Sequence, residues 1–192
     1  MALDEPLRLV LCANFAEVAQ LTETCRRVAV DMPVGLPGPG QSRDCEPAAR
    51  RLLGPRRHSV FTTPPRRYLK ARDFSEVQGM SLQSFHLLPK IRELDHWMTP
   101  ARQARVFEAH PELVFTRLAG GPLQHSKKTP EGRNLREKLL AQTLPSRWPR
   151  TSVQPDDVLD ALALLRCAQA PGTPLCFQQR DEHGLLMQIY GC

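Results

Sequence analysis

The sequence lacks any apolar run long enough to cross a bilayer, and its opening Met1-Ala2-Leu3-Asp4-Glu5-Pro6 is acidic where a secretory leader would be basic and then apolar. A signal peptide and a membrane span are therefore not expected, and the reading is an intracellular protein, cytoplasmic or nuclear. C-x-x-C pairs and zinc-ligand spacings are also missing among the six cysteines (Cys12, Cys25, Cys45, Cys167, Cys176, Cys192), which argues against a zinc module. They read as ordinary thiols of a reducing compartment. No internal repeat and no long low-complexity segment is present, so solenoid arrays are set aside. A single domain spanning 1–192 follows from the length.

Charge of one sign is present, but locally. The net charge is +6, and residues 43–72 hold nine Lys or Arg against Asp44 and Glu46, a local excess of +7. A concentrated basic patch suits polyanions such as nucleic acid, although a solvated arginine face reads the same way.

The chain is organised around Arg27-Val28-Ala29-Val30-Asp31-Met32-Pro33-Val34-Gly35-Leu36-Pro37. A valine-rich run predicts a buried strand, and Pro33, Gly35 and Pro37 end it sharply. Asp31 then stands at the carboxyl end of a strand, where open α/β sheets place their sites. A turn aspartate bonding nearby N–H groups would have the same sequence. Upstream, Leu7, Leu9 and Leu11 alternate with Arg8 and predict a strand over 7–12 parallel to the Val28–Asp31 strand. Asn14 and Glu17 open a helix reaching to about Cys25. Residues 38–100 read as a helical insertion. A helix from a cap at Asp44 through Leu53 is followed by a proline-broken basic tract, then by a second helix from Ser81 to Trp97 that Pro89 should kink or divide. Val106-Phe107-Glu108-Ala109-His110 returns to strand, with Glu108 and His110 on one face. Thr129 caps a helix with Pro130 at its first position. In Pro155-Asp156-Asp157-Val158-Leu159-Asp160-Ala161, the first two acids suit a helix N-terminus, but Asp160 stands among apolar residues and needs a partner. Asp157 and Asp160, at i and i+3, share a side. Residues 184–190 read as a final strand or a tail lying on the body.

A strand ending in an acid and a late helix carrying D-x-x-D-A-x-A resemble the RNase H-like superfamily, particularly its RuvC-like branch. The text is closer still to an uncharacterised family of predicted RNase H-like nuclease domains. Its signatures stand here as Asp31-Met32-Pro33-Val34-Gly35-Leu36-Pro37, Arg51-Leu52-Leu53-Gly54-Pro55-Arg56-Arg57-His58-Ser59-Val60-Phe61, Pro89-Lys90-Ile91-Arg92-Glu93, Glu108-Ala109-His110-Pro111-Glu112, His125-Ser126-Lys127-Lys128-Thr129 and Asp156-Asp157-Val158-Leu159-Asp160-Ala161. The resemblance covers about residues 7–190. It implies an α/β fold, a mixed sheet flanked by helices with the helical insertion between the central strand and the next. It also implies an opening strand hairpin bearing an aspartate in a G-x-D-G text. Here the text starts at what should be the third strand, and Asp4 precedes a proline on an acidic leader. The first metal carboxylate is therefore expected to be missing and the form to have little nuclease activity. Self-association through the uncovered sheet edge, placed at 7–12, is expected with it.

The implied chemistry is divalent-metal-dependent phosphodiester hydrolysis on nucleic acid, using Mg²⁺ or Mn²⁺. Asp31, Asp157 and Asp160 are the expected ligands, Glu108 a fourth, and Lys127 the group stabilising developing charge. Arg56, Arg57, Arg66, Arg67 and Lys128 are expected to hold the nucleic-acid backbone, with Phe61 or Tyr68 stacking on bases. The competing expectation is a non-catalytic nucleic-acid-binding or scaffold protein that keeps the fold. A third is a metal-dependent hydrolase of small phosphorylated metabolites, which would not need the arginine patch.

Overall fold

In a computed structural model the described residues are 7–141, 143, 153–176 and 178–191; Asp4 lies outside them. The fold is mixed α/β. Strand β1 (Val28–Val30) pairs in parallel with β2 (Val106–Glu108), in the register Val28↔Val106, Ala29↔Phe107 and Val30↔Glu108. The run 106–110 is a strand of the same sheet, as expected, although β2 stops at Glu108; the parallel partner of β1 is this run and not 7–12. On the far side of β2, Ala109 bridges Tyr190, with His110 N–H donating to Tyr190 O and Tyr190 N–H to Glu108 O. The 184–190 tail thus lies against the sheet through single bridges.

Residues 7–12 form no strand, against expectation: they run as irregular chain with Leu9, Val10 and Leu11 exposed. An apolar alternation specifies a strand only when a neighbour takes up its backbone groups, and here none does. Val10 also breaks the alternation, so neither face is wet. Among the described residues β1 has a hydrogen-bonded neighbour on one side only, β2, so the open edge lies at β1 and not at 7–12.

Helix α1 (Phe15–Leu21) is shorter than read. Its Asn14 Oδ1 accepts from Glu17 N–H at 3.1 Å, the helix is held to the body where Phe15 N–H donates to Glu93, and Phe15 meets the Trp97 ring edge-on. The 38–100 stretch is largely helical, as expected. It contains α2 (Cys45–Leu53), 3₁₀ turns at Gly54–Ser59, Arg66–Lys70 and Phe74–Glu76, and α3 (Leu82–Trp97). Asp44 does not cap α2; its own backbone is helical and its side chain makes no cap bond. Gly54, at φ +52°, ends the helix in a conformation that disfavours a Cβ. Pro89 does not divide α3, which is continuous from the Ser81 cap to Trp97. Burial of Leu88, Ile91 and Leu94 around it outweighs the one lost bond.

A four-residue helix α4 (Pro100–Gln103) leads into β2. Helices α5 (Pro111–Leu118), α6 (Pro130–Leu139) and α7 (Pro155–Gln169) follow. Helix α7 packs on β1 and α5. The main core joins Phe107, Val114 and Phe115 to Leu159, Leu162 and Ala163 of α7, and a second core joins Leu88 and Ile91 of α3 to Leu36, Leu69 and Val77. Cys12, Cys25, Cys45 and Cys176 are free, whereas Cys167 is disulfide-bonded. The reading of ordinary thiols fails at Cys167, because bridging follows proximity in space, which sequence spacing does not show.

Candidate functional site

The β1–β2 register delivers Asp31 and His110 to the same end of the sheet, each just past its strand. Pro33 stops β1 and Pro111 starts α5, so neither residue is drawn into further regular structure. Helix α7 crosses β1 and brings Asp160 to that end. Lys127 arrives on a loop pinned beneath α6. A Cβ on Gly132 would stand 1.9 Å from Ser126 O, so only glycine lets the helix seat so closely on the loop. Thr129 Oγ1 accepts from Gly132 N–H at 3.1 Å, and Thr129 N–H donates to Ser126 O, which closes the turn.

These side chains enclose a cleft of about 110 Å³ lined by Asp31, Arg56, Ser59, His110, Pro111, Glu112, Lys127 and Asp160. Lys127 Nζ donates to Asp160 Oδ2 and stands 3.9 Å from Asp156 Oδ2. Burial works against the Lys127 ammonium, but the bond to Asp160 and the charges of Asp160, Asp156 and Asp31 outweigh it and hold its pKa above the ordinary value. Asp31 is open to water on one side. The protein mass around it still thins its hydration and pushes its carboxyl up to about 6, with Lys127 pulling the other way. Asp160 is also pushed up to about 6. Burial is the main cause, Lys127 opposes it, and Asp31 and Glu112 add to it. The two carboxyls thus repel one another across the cleft, with one ammonium beside them.

His110 is half-buried at the edge of this cleft. Burial lowers its pKa, against the Ser59 carbonyl and the charges of Glu112, Glu108 and Asp160. Its Nε2 lies 3.2 Å from Ser59 O, and its Nδ1 has no hydrogen-bond partner. With a carbonyl as the only acceptor, Nε2 carries the proton and the ring is neutral. Arg56 Nε sits 3.4 Å from Glu112 Oε1, and Glu112 in turn is bound by the fully buried Arg136. That chain of charges fixes where Arg56 stands.

Two expected ligands are placed elsewhere. Asp157 is exposed and lines no part of the cleft. The α7 residues that reach Lys127 are Asp156 and Asp160, at i and i+4, whereas Asp157 points off that stripe. Glu108 is buried behind the cleft, where its oxygens take Arg43 and the Val34 N–H at 2.8 Å. Burial raises its pKa against the pull of Arg43. It ties the insertion to β2, with Arg43 donating to both of its oxygens. Lys128 is exposed, and no described cleft includes it.

The basic tract divides between two faces. Arg56 borders the carboxylate cleft, and Arg57 lies in the depression beyond it. Arg66 is instead bound by Asp95 (2.8 Å), Asp181 (2.6 Å) and Glu182 (3.2 Å) in a separate cleft of about 860 Å³, and Arg67 lies over the Tyr68 ring. Sequence reasoning had set Asp156 aside as a dipole partner and left His110 open; the i, i+4 relation to Asp160 was the available signal for Asp156.

Among the described residues no three His, Cys, Asp or Glu side chains gather as a metal cage. The pair Asp31 and Asp160 offers hard oxygen donors only. Such a pair fits a Mg²⁺ or Mn²⁺ ion that keeps waters and shares a substrate phosphate, the usual mode for Mg²⁺, rather than an all-protein cage. No described helix is long and apolar enough to cross a membrane.

Fold and cleft together define an α/β protein with a paired-carboxylate site at the carboxyl end of a parallel strand pair. Residues 1–183 match the family model described as "Protein of unknown function (DUF429)", and the chain belongs to that family. No curated protein and no solved structure gives a significant match.

Proposed function

We propose that the chain is a divalent-metal-dependent phosphodiester hydrolase of RNase H-like type acting on nucleic acid. One observation carries the reading: Asp31 from a strand end and Asp160 from a helix face one cleft, both with carboxyls raised to about 6, beside Lys127 and Arg56. Raised carboxyl pKa values in a cleft mark groups held together for chemistry more often than for stability.

In this reading Asp31 and Asp160 would hold a metal ion, which when bound would supply positive charge against the phosphate and activation of the attacking water. Lys127 and Arg56 take the non-bridging phosphate oxygens and stabilise the charge that grows on them. His110 stays neutral, its Nε2–H held by Ser59 O, so no third cation competes for the carboxylates. Both carboxyls must be ionised to take up the metal, so metal binding by the empty site strengthens as pH climbs through about 6. The second reading, a non-catalytic nucleic-acid-binding protein, is favoured by one feature: Lys127 already neutralises Asp160 within the protein.

Cleavage of an end-labelled oligonucleotide in Mg²⁺ or Mn²⁺ separates them. The hydrolase reading expects metal-dependent cleavage that falls at least about 100-fold in Asp31→Asn and in Asp160→Asn, the scale of losing one charge-stabilising contact. Oligonucleotide binding without cleavage under either metal selects the non-catalytic protein.

A further inference from the structure

The carboxylate cleft does not end at Arg56. It adjoins a depression of about 590 Å³ that shares Asp31, Arg56, Ser59, His110 and Lys127 with it. That depression adjoins another of about 410 Å³, sharing His58, Phe61, Ser81 and Ser84. Together they make a trough between the 3₁₀ turn Gly54–Ser59 on one side and the start of α3 on the other.

The chemistry of the trough is segregated. Apart from Asp31, no carboxylate lines either depression; the charged groups are Lys127, Arg56, Arg57 and Arg50, with His58 beside them. Arg50 is largely committed, to Glu46, Val60 O and Thr62. Arg57 is exposed, and its guanidinium makes no ion pair or hydrogen bond among the described residues. Facing this cationic side are Ser81, Gln83 and Leu87, with the half-buried Phe61 and Met80 between. The larger, separate cleft holds Arg66, Arg67, Lys70, Arg72 and Arg92, but two carboxylates, Asp95 and Glu182, also line it and bind Arg66. The trough differs in joining the Asp31–Asp160 cleft directly, through the residues the two share.

We infer that this trough is the path of one unpaired nucleic-acid strand leading to the Asp31–Asp160 site, with phosphates along Arg56 and Arg57 and bases against Phe61, Met80 and Leu87. This rests on the reading of that site as a phosphodiester hydrolase and names its substrate class. Cations along one wall with apolar and aromatic surface on the floor is the arrangement that holds single strands, whose base faces are free to pack. A duplex keeps its base faces stacked and meets the trough through phosphates alone.

The test is fluorescence anisotropy in EDTA, where no cleavage occurs, with a labelled twelve-nucleotide single strand and a hairpin duplex of the same length. The inference expects the single strand to bind at least tenfold more tightly. Arg57→Ala should weaken it about three- to tenfold and lower the log–log salt slope by about one, the share of one phosphate contact. Phe61→Leu, which keeps apolar volume and loses the ring, should weaken it severalfold and leave the slope alone. Arg117→Ala, exposed and outside the trough, should change neither. Equal or tighter binding of the duplex, or an Arg57→Ala protein with unchanged affinity and slope, overturns the strand path. Binding that tracks the trough in a protein that cleaves nothing under Mg²⁺ or Mn²⁺ supports the path and counts against the hydrolase alone.

Discussion

Asp31 shows at the level of one residue how a site is maintained at a cost to the fold. Its carboxyl titrates near 3.8 when unfolded and near 6 when folded. The native state therefore binds the proton more tightly, and the associated stability is present below about pH 4 and lost as pH rises through about 6. Asp31→Asn removes that loss. Because Asp31 is open to water on one side, the discounted effect is about 1 kcal/mol, a rise in Tm of roughly 2–4 °C at pH 7.5. The difference should close by pH 4, and calorimetry at the two pH values checks it. A variant that melts lower than the parent at pH 7.5 would contradict the electrostatic account of Asp31. Asp160 shares the shift but differs in having Lys127 bonded to it, so its variants mix lost repulsion with a lost partner.

At the scale of elements, the site depends on where α7 and the 125–128 loop are held. Gly132→Ala places a Cβ 1.9 Å from Ser126 O, backbone that cannot yield as a side chain could. The helix and loop must separate, at roughly 1–3 kcal/mol for overpacking, and Lys127 moves with the loop. The expected outcome is a lower denaturant midpoint together with weakened oligonucleotide cleavage. A fully stable Gly132→Ala protein of parental activity would show that the loop does not position Lys127. The same scale separates what the sequence shows from what it hides. The end of β1 was legible, since three apolar residues followed by Asp31 and Pro33 allow little else. The capped start of α6 was legible from Thr129-Pro130, and the second strand from the Val106 run, though not that it pairs with β1. Residues 7–12 misled because their pattern describes a strand with a neighbour, and the neighbour is not among the described residues. Glu108 misled for another reason: its partner Arg43 is 65 residues away, and only the folded chain shows that the pair is spent on joining the insertion to the sheet. Asp157 was one residue off the stripe that α7 presents.

Across the whole molecule, the basic segment that looked like one patch in sequence wraps around two faces. On one, Arg66 is paired with Asp95, Asp181 and Glu182. On the other, Arg56 is paired with Glu112, and Arg57 has no ion pair among the described residues. Charge neutralisation, strand binding and metal binding are thus proposed at one end of the β1–β2 pair. The central claim is that Asp31 and Asp160 together hold a divalent ion. Titration of Mn²⁺ at pH 7.5, followed by the loss of the free-ion electron paramagnetic resonance signal in the presence of a non-hydrolysable phosphorothioate oligonucleotide, measures this directly. The account predicts saturable binding in the parent chain that is lost in both Asp31→Asn and Asp160→Asn and kept in Asp157→Asn. Binding absent from the parent, or undiminished in Asp31→Asn and Asp160→Asn, would contradict it.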